Sequence, residues 1–94
     1  MLVIRRLIWD ESNVAHIARH KVIPNEVEDA CHSDPVVQQG KKGRSLVFGS
    51  TKSGRMLTVV LNPEGEGVYY PVTARPASKR ERAIYTQEKA GEKP

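Results

Sequence analysis

Apolar positions along the chain change period twice, dividing it into a helical first third, an extended middle and a helical end. Leu2-Val3-Ile4-Arg5-Arg6-Leu7-Ile8-Trp9 is β-branched and apolar apart from Arg5-Arg6, and predicts a first strand. Asp10 then offers an N-cap. Val14, Ile17 and Ala18 fall at helical spacing as the buried stripe of a short helix ending near His20 or Lys21, while Asn13, His16 and His20 share a second, more exposed face. Pro24 suits the first position of a second helix, where its missing N–H costs nothing, and Glu26, Glu28 and Asp29 complement the helix dipole. That helix stops around His32-Ser33-Asp34-Pro35.

From here the pattern is extended. Val36-Val37-Gln38 predicts a short strand, Gln39-Gly40-Lys41-Lys42-Gly43 a basic loop, and Arg44 to Gly49 a second strand before a Ser50 to Gly54 turn. Arg55-Met56-Leu57-Thr58-Val59-Val60-Leu61 is apolar on both faces, as a central strand requires. Asn62 to Gly67 predicts a tight connection and Val68 to Thr73 the last strand, with Pro71 at an edge or bulge because it cannot donate to a ladder. Ser78 to about Glu88 predicts a capped helix, and residues 90–94 a frayed tail. The order of strand, two helices, three or four antiparallel strands and helix is α+β, with the helices expected on one sheet face.

At 94 residues the chain allows one domain with a modest core. Its 15 Lys+Arg against 11 Asp+Glu leave +4, a field suited to nucleic acid or an acidic protein. One cysteine, Cys31, forms no internal disulfide, no basic-then-apolar leader opens the sequence, and no apolar run approaches a membrane span; a cytoplasmic protein is the expectation.

The candidate chemistry is basic. In Thr73-Ala74-Arg75-Pro76-Ala77-Ser78-Lys79-Arg80-Glu81-Arg82 a strand runs into an arginine-rich helix start, a natural place to hold phosphate. Arg55 and Arg44 begin two neighbouring strands, and a meander can bring such ends to one rim, where guanidinium forks hold phosphate oxygens. His20 is the best proton-transfer candidate, with Lys21 beside it; its alternative role is a helix C-cap. His16 and His20 have spacing for a shared metal, yet no third ligand accompanies them. Arg75 has a structural alternative in pairing with Glu81, and Glu81 in a capping box with Ser78. Trp9 and Tyr85 read as packing residues.

Trp9-Asp10, Arg19-His20, Gly54-Arg55 and the Ala74-Arg75, Ala77, Glu81-Arg82, Tyr85 series together resemble the BrnT family of bacterial toxins over roughly residues 7 to 86. The resemblance implies a RelE-like fold and a metal-independent endoribonuclease that cleaves messenger RNA without a cofactor. It implies a cognate antitoxin that neutralises the toxin and joins it to operator DNA. Within this reading the catalytic candidates are His20, Arg55, Arg75 and Glu81, and the substrate-binding candidates Lys21, Arg44, Tyr70 and Arg82. The chain departs from the family pattern in two places. Arg19-His20-Lys21 stands where Lys-His-Gly is usual, losing the glycine of a left-handed helix stop, and Tyr70-Pro71-Val72-Thr73 replaces Arg-Ile-Ile-Ser. Tyr70 can still hydrogen-bond phosphate or stack on a base. A non-catalytic nucleic-acid- or protein-binding module on the same scaffold is the alternative.

Overall fold

A computed structural model of the chain describes residues 2–91. The first strand is far shorter than its composition predicts. Only Arg6–Leu7 (β1) pairs, parallel to the last strand, because residues 2–5 precede that strand's reach and Arg5 lies against Gly67 instead. Helix α1 spans Glu11–Ala18, and its Asp10 cap is reciprocal: Asn13 N donates to Asp10 Oδ1 and Asp10 N to Asn13 Oδ1, both at 2.9 Å. Asn13 also donates to the Ile8 carbonyl at 2.9 Å, so it is 1% exposed rather than part of the exposed face. Its burial displaces the expected stripe: Ile17 is buried, whereas Val14 and Ala18 face solvent.

Beyond α1 the chain closes in a Schellman stop. Lys21 N bonds Ala18 O at 2.9 Å, Val22 N bonds Ile17 O at 3.2 Å, and Lys21 takes φ 60 where glycine is favoured. The buried Val22 and Ile17 side chains join the core at this turn, which is what holds a lysine in the left-handed region. Helix α2 covers Pro24–His32, with Pro24 at its start as its sequence requires.

The remaining strands are β2 (Val36–Gln39), β3 (Ser45–Ser50), β4 (Met56–Gly65) and β5 (Val68–Pro76), followed by α3 (Lys79–Gly91). They form one five-stranded sheet in the order β1-β5-β4-β3-β2, antiparallel except for β1. The protein is therefore α+β, with two helices before the sheet-rich part and one after it. The tight connection is shorter than Asn62 to Gly67, since β4 continues to Gly65 and only Glu66-Gly67 turn, with Gly67 at φ 73. Pro71 sits beside a bulge: the register passes from Val60↔Thr73 to Leu61↔Pro71, leaving Val72 unmatched, so the missing N–H falls where the ladder is already broken. Ala90 and Gly91 are helical rather than frayed, and residues 92–94 lie outside the described residues.

Side-chain alternation along β4 divides the helices between two faces. Leu57, Val59 and Leu61 point to α1 and α2 and share a core with Ile17, Val22, Val27, Ala30 and Val47. Thr58 points the other way and bonds Glu81 of α3 at 2.8 Å. The expectation of helices on one face is thus corrected, because α3 follows Arg75, whose register partner is Thr58. Helix α2 and β3 approach so closely that a Cβ on Gly49 would meet the Ala30 carbonyl oxygen at 2.1 Å. Each fully buried aliphatic side chain here contributes about 1.5–3 kcal/mol. No helix among the described residues is long and apolar enough to cross a membrane.

Candidate nucleic-acid interface

One end of the sheet gathers six of the eight candidate residues: His20, Lys21, Arg55, Arg75, Glu81 and Arg82. Arg55 enters β4 from a turn in which Thr51 N donates to Arg55 O at 2.9 Å, Arg55 N to Thr51 Oγ1 at 3.1 Å, and Gly54 adopts φ 89. Its guanidinium crosses to the α1–α2 connection. There Nη1 donates to Lys21 O at 2.7 Å and to both Glu26 carboxylate oxygens at 3.0 and 3.1 Å, and Nη2 to His20 O at 3.4 Å. The next residue, Met56, accepts from Ala77 N at 2.9 Å, which brings the start of α3 to the same end.

At that start, four hydrogen bonds converge on one carboxylate. Glu81 Oε1 accepts from Arg75 Nη1 at 2.7 Å, Thr58 Oγ1 at 2.8 Å and Ser78 N at 2.8 Å, and Oε2 accepts from Arg75 Nη2 at 2.9 Å. Glu81 N completes the capping box on Ser78 Oγ at 3.1 Å. The Arg75 hydrogen bonds are the main cause holding the Glu81 carboxyl down at about 2, against the opposing effect of burial. Reciprocally, the Arg75 pKa is raised by Glu81. A carboxylate so stabilised is a poor proton acceptor near neutral pH, and its geometry is that of a clamp on Arg75. Arg82 Nη1 donates to Ala77 O at 2.9 Å and tightens the same strand-to-helix passage.

Arg55 and Arg75 share this end but not a face. Arg55 points with Leu57 toward α1 and α2, whereas Arg75, registered with Thr58, lies on the α3 face. The His20 ring is exposed and stands edge-on to His16 with centroids 6.0 Å apart. Among the described residues no group of three His, Cys, Asp or Glu is placed to hold a metal. Cys31 is buried, and burial followed by the nearby Glu28 charge pushes its thiol up to about 12, too high for a nucleophile.

Arg44 and Tyr70 are not brought to this rim. Antiparallel pairing sets the start of β3 against the far end of β4: Ser50 pairs Met56, while Ser45 pairs Leu61, five residues or about 17 Å away. Arg44 Nε donates to Asn62 Oδ1 at 3.4 Å, and Tyr70 is registered with Asn62 at the same far end. The Tyr70 hydroxyl donates to the Asp10 carboxylate at 3.0 and 3.1 Å; desolvation and this bond raise its pKa.

Three partners in these networks, Glu26, Asp10 and Thr58, were not among the sequence candidates. Glu26 reads locally as a helix-start charge, and Asp10 as a cap, although they also bind Arg55 and Tyr70. Thr58 offered a hint, being the one polar side chain in the apolar run from Met56 to Leu61. Lys79 and Arg80, in the first turn of α3, are exposed, as are Arg19 and Lys21 at the stop of α1. Compared with protein-family models, curated proteins and solved structures, the chain matches none of them.

Proposed function

We propose that this chain is a metal-independent endoribonuclease toxin of the BrnT type, holding the RNA backbone at the Arg55/Arg75 end of its sheet. The observation that supports this most directly is the hydrogen-bonded succession from His20 and Lys21 through Arg55 and Met56 to Ala77 and Ser78. It collects a histidine, two guanidinium groups and a cationic helix start at one end of the molecule. Cleavage of this type attacks phosphorus with a ribose 2′-oxygen, loses the 2′ proton to a base, and releases the 5′-oxygen with a proton gained. Histidine is the side-chain type suited to exchange protons near neutrality, which gives that part to His20. The guanidinium groups stabilise charge on the phosphate, Arg55 once the phosphate has displaced Glu26 from it and Arg75 while still held by Glu81. Lys21 and Arg82 bind the backbone nearby, and Glu81 acts as a positioning residue for Arg75. A cognate antitoxin would cover the rim and carry the pair to operator DNA.

The test is expression in bacteria without a partner protein, following growth and messenger RNA integrity together for wild type, His20→Ala and Arg75→Lys, each checked for folding. Growth arrest with RNA cleavage, relieved by His20→Ala, supports the reading. Unimpeded growth and intact RNA from folded wild-type protein sinks it.

The pairing of both arginines with carboxylates favours a second reading, a binding module without catalysis. It is distinguished by RNA that binds the purified chain, with affinity falling as salt rises, and remains uncut.

A further inference from the structure

The opposite corner of the sheet has a different character. Strand β2 is an outer strand, Val36-Val37-Gln38-Gln39, paired only with β3, so the main-chain groups on its other side are unused by the sheet. It carries no charge, and Val37 is 37% exposed. On the α3 face, α3 crosses over the Phe48–Thr58 row and ends with Lys89 Nζ bonded to Asp34 Oδ2 at 2.8 Å, just before β2 begins. The next row, Gln38–Leu46–Val60, is left partly open. A cavity of about 430 Å³ lies by α2, but a larger one, about 640 Å³, sits on this open row.

Its floor is Leu46 and Val60, and its wall is Lys41, Lys42 and Arg44. The wall is built by the β2–β3 turn, closed by Gly40 N to Arg44 O at 2.8 Å and Arg44 N to Lys41 O at 3.1 Å. Within it Lys42 and Gly43 adopt φ 57 and 75, and both lysines are exposed at the tip. Among the described residues, Arg44 bonds only the neutral Asn62 side chain, whose amide in turn bonds Glu64 at 2.9 Å, and none of the three cations has a carboxylate partner.

We infer that the free edge of β2 and the basic wall beside it form a docking site for an extended acidic segment of a partner protein. The segment adds to β2 as a further strand. Strand periodicity then puts the acidic side chains of an alternating segment on the α3 face, toward Lys41, Lys42 and Arg44, and the apolar ones on the other face, beside the half-exposed Val37. Charge complementarity selects an acidic occupant, and the free strand edge selects an extended one. Single-stranded RNA suits the cavity less well, because its floor is aliphatic and no aromatic ring lines it for bases to stack on. This site is separate from the Arg55/Arg75 end and stands whether or not the chain cleaves RNA.

The experiment is a titration of isotope-labelled protein with a synthetic eight-residue peptide alternating Asp or Glu with Leu or Val, read as amide shifts by NMR. A second peptide with lysine at every acidic position and a short oligouridylate serve as comparisons. The expected result is saturable shifts concentrated in residues 36–44 with the acidic peptide alone. Affinity should drop at least about tenfold in a Lys41→Glu, Lys42→Glu double variant whose spectrum elsewhere is unchanged. Equal binding of the lysine peptide, an unaltered affinity in the variant, no shifts with any probe, or shifts at these residues from the oligouridylate instead would each overturn the inference.

Discussion

Arg75 and Glu81 meet through two parallel hydrogen bonds of 2.7 and 2.9 Å, so the last strand and the last helix are clamped where one passes into the other. The carboxylate that does this also caps α3 and accepts from the buried Thr58.

The clamp makes stability acid-sensitive. Glu81 in the folded protein is lowered from 4.5 to about 2, so as pH falls the unfolded chain takes up its proton first. The stabilisation is complete well above pH 4.5 and is lost on descending toward 2. Because Arg75 is 39% exposed, the difference expected between wild type and Glu81→Gln over this window is only about 1–2 kcal/mol. Urea unfolding at a series of pH values checks it; parallel curves for the two proteins would show that Glu81 is not the group responsible.

Lys21→Gly should stabilise the fold. Lysine at φ 60 carries a steric cost of roughly 1–2 kcal/mol that glycine avoids, offset in part by glycine's greater freedom in the unfolded chain. A gain of about 0.5–1 kcal/mol is expected as a higher urea midpoint with unchanged slope. A lower midpoint would mean that the Lys21 side chain makes a stabilising contribution larger than the backbone cost.

Gly49→Ala should be severe. The added methyl would overlap the Ala30 main chain, with contacts of 2.1, 2.7 and 3.0 Å, and relief requires α2 to lift from β3. A loss of about 3 kcal/mol is expected in chemical denaturation. Loss below 1 kcal/mol would show that α2 shifts freely on the sheet.

Arg55→Ala removes the bonds from β4 to Glu26, Lys21 O and His20 O together. About 2 kcal/mol should be lost, and amide exchange should quicken first in residues 19–23. Arg55→Lys should recover less than half, since an ammonium cannot span acceptors on two elements as the fork does. Full recovery by lysine would assign the effect to charge alone.

Local signals announced much of this fold. Pro24 at a helix start, Asp10 as a cap, the Ser78–Glu81 box and Pro71 at a bulge all act within a few residues of chain, so the sequence carries them directly. Asn13 misled because its polarity implied exposure, whereas reciprocal capping with Asp10 and a bond to Ile8 satisfies every polar atom and permits burial.

The sequence by itself determined the α+β order of elements, the helix caps and the basic character of the strand-to-helix passage, since these depend on neighbours in the chain. Only the tertiary structure decided where the functional side chains went. Antiparallel pairing sent Arg44 to the far end from Arg55, and alternation put Arg55 and Arg75 on opposite faces. Glu26 reached Arg55 across 29 residues of chain, because register and helix packing are set by burying one continuous core, which no local window of sequence contains.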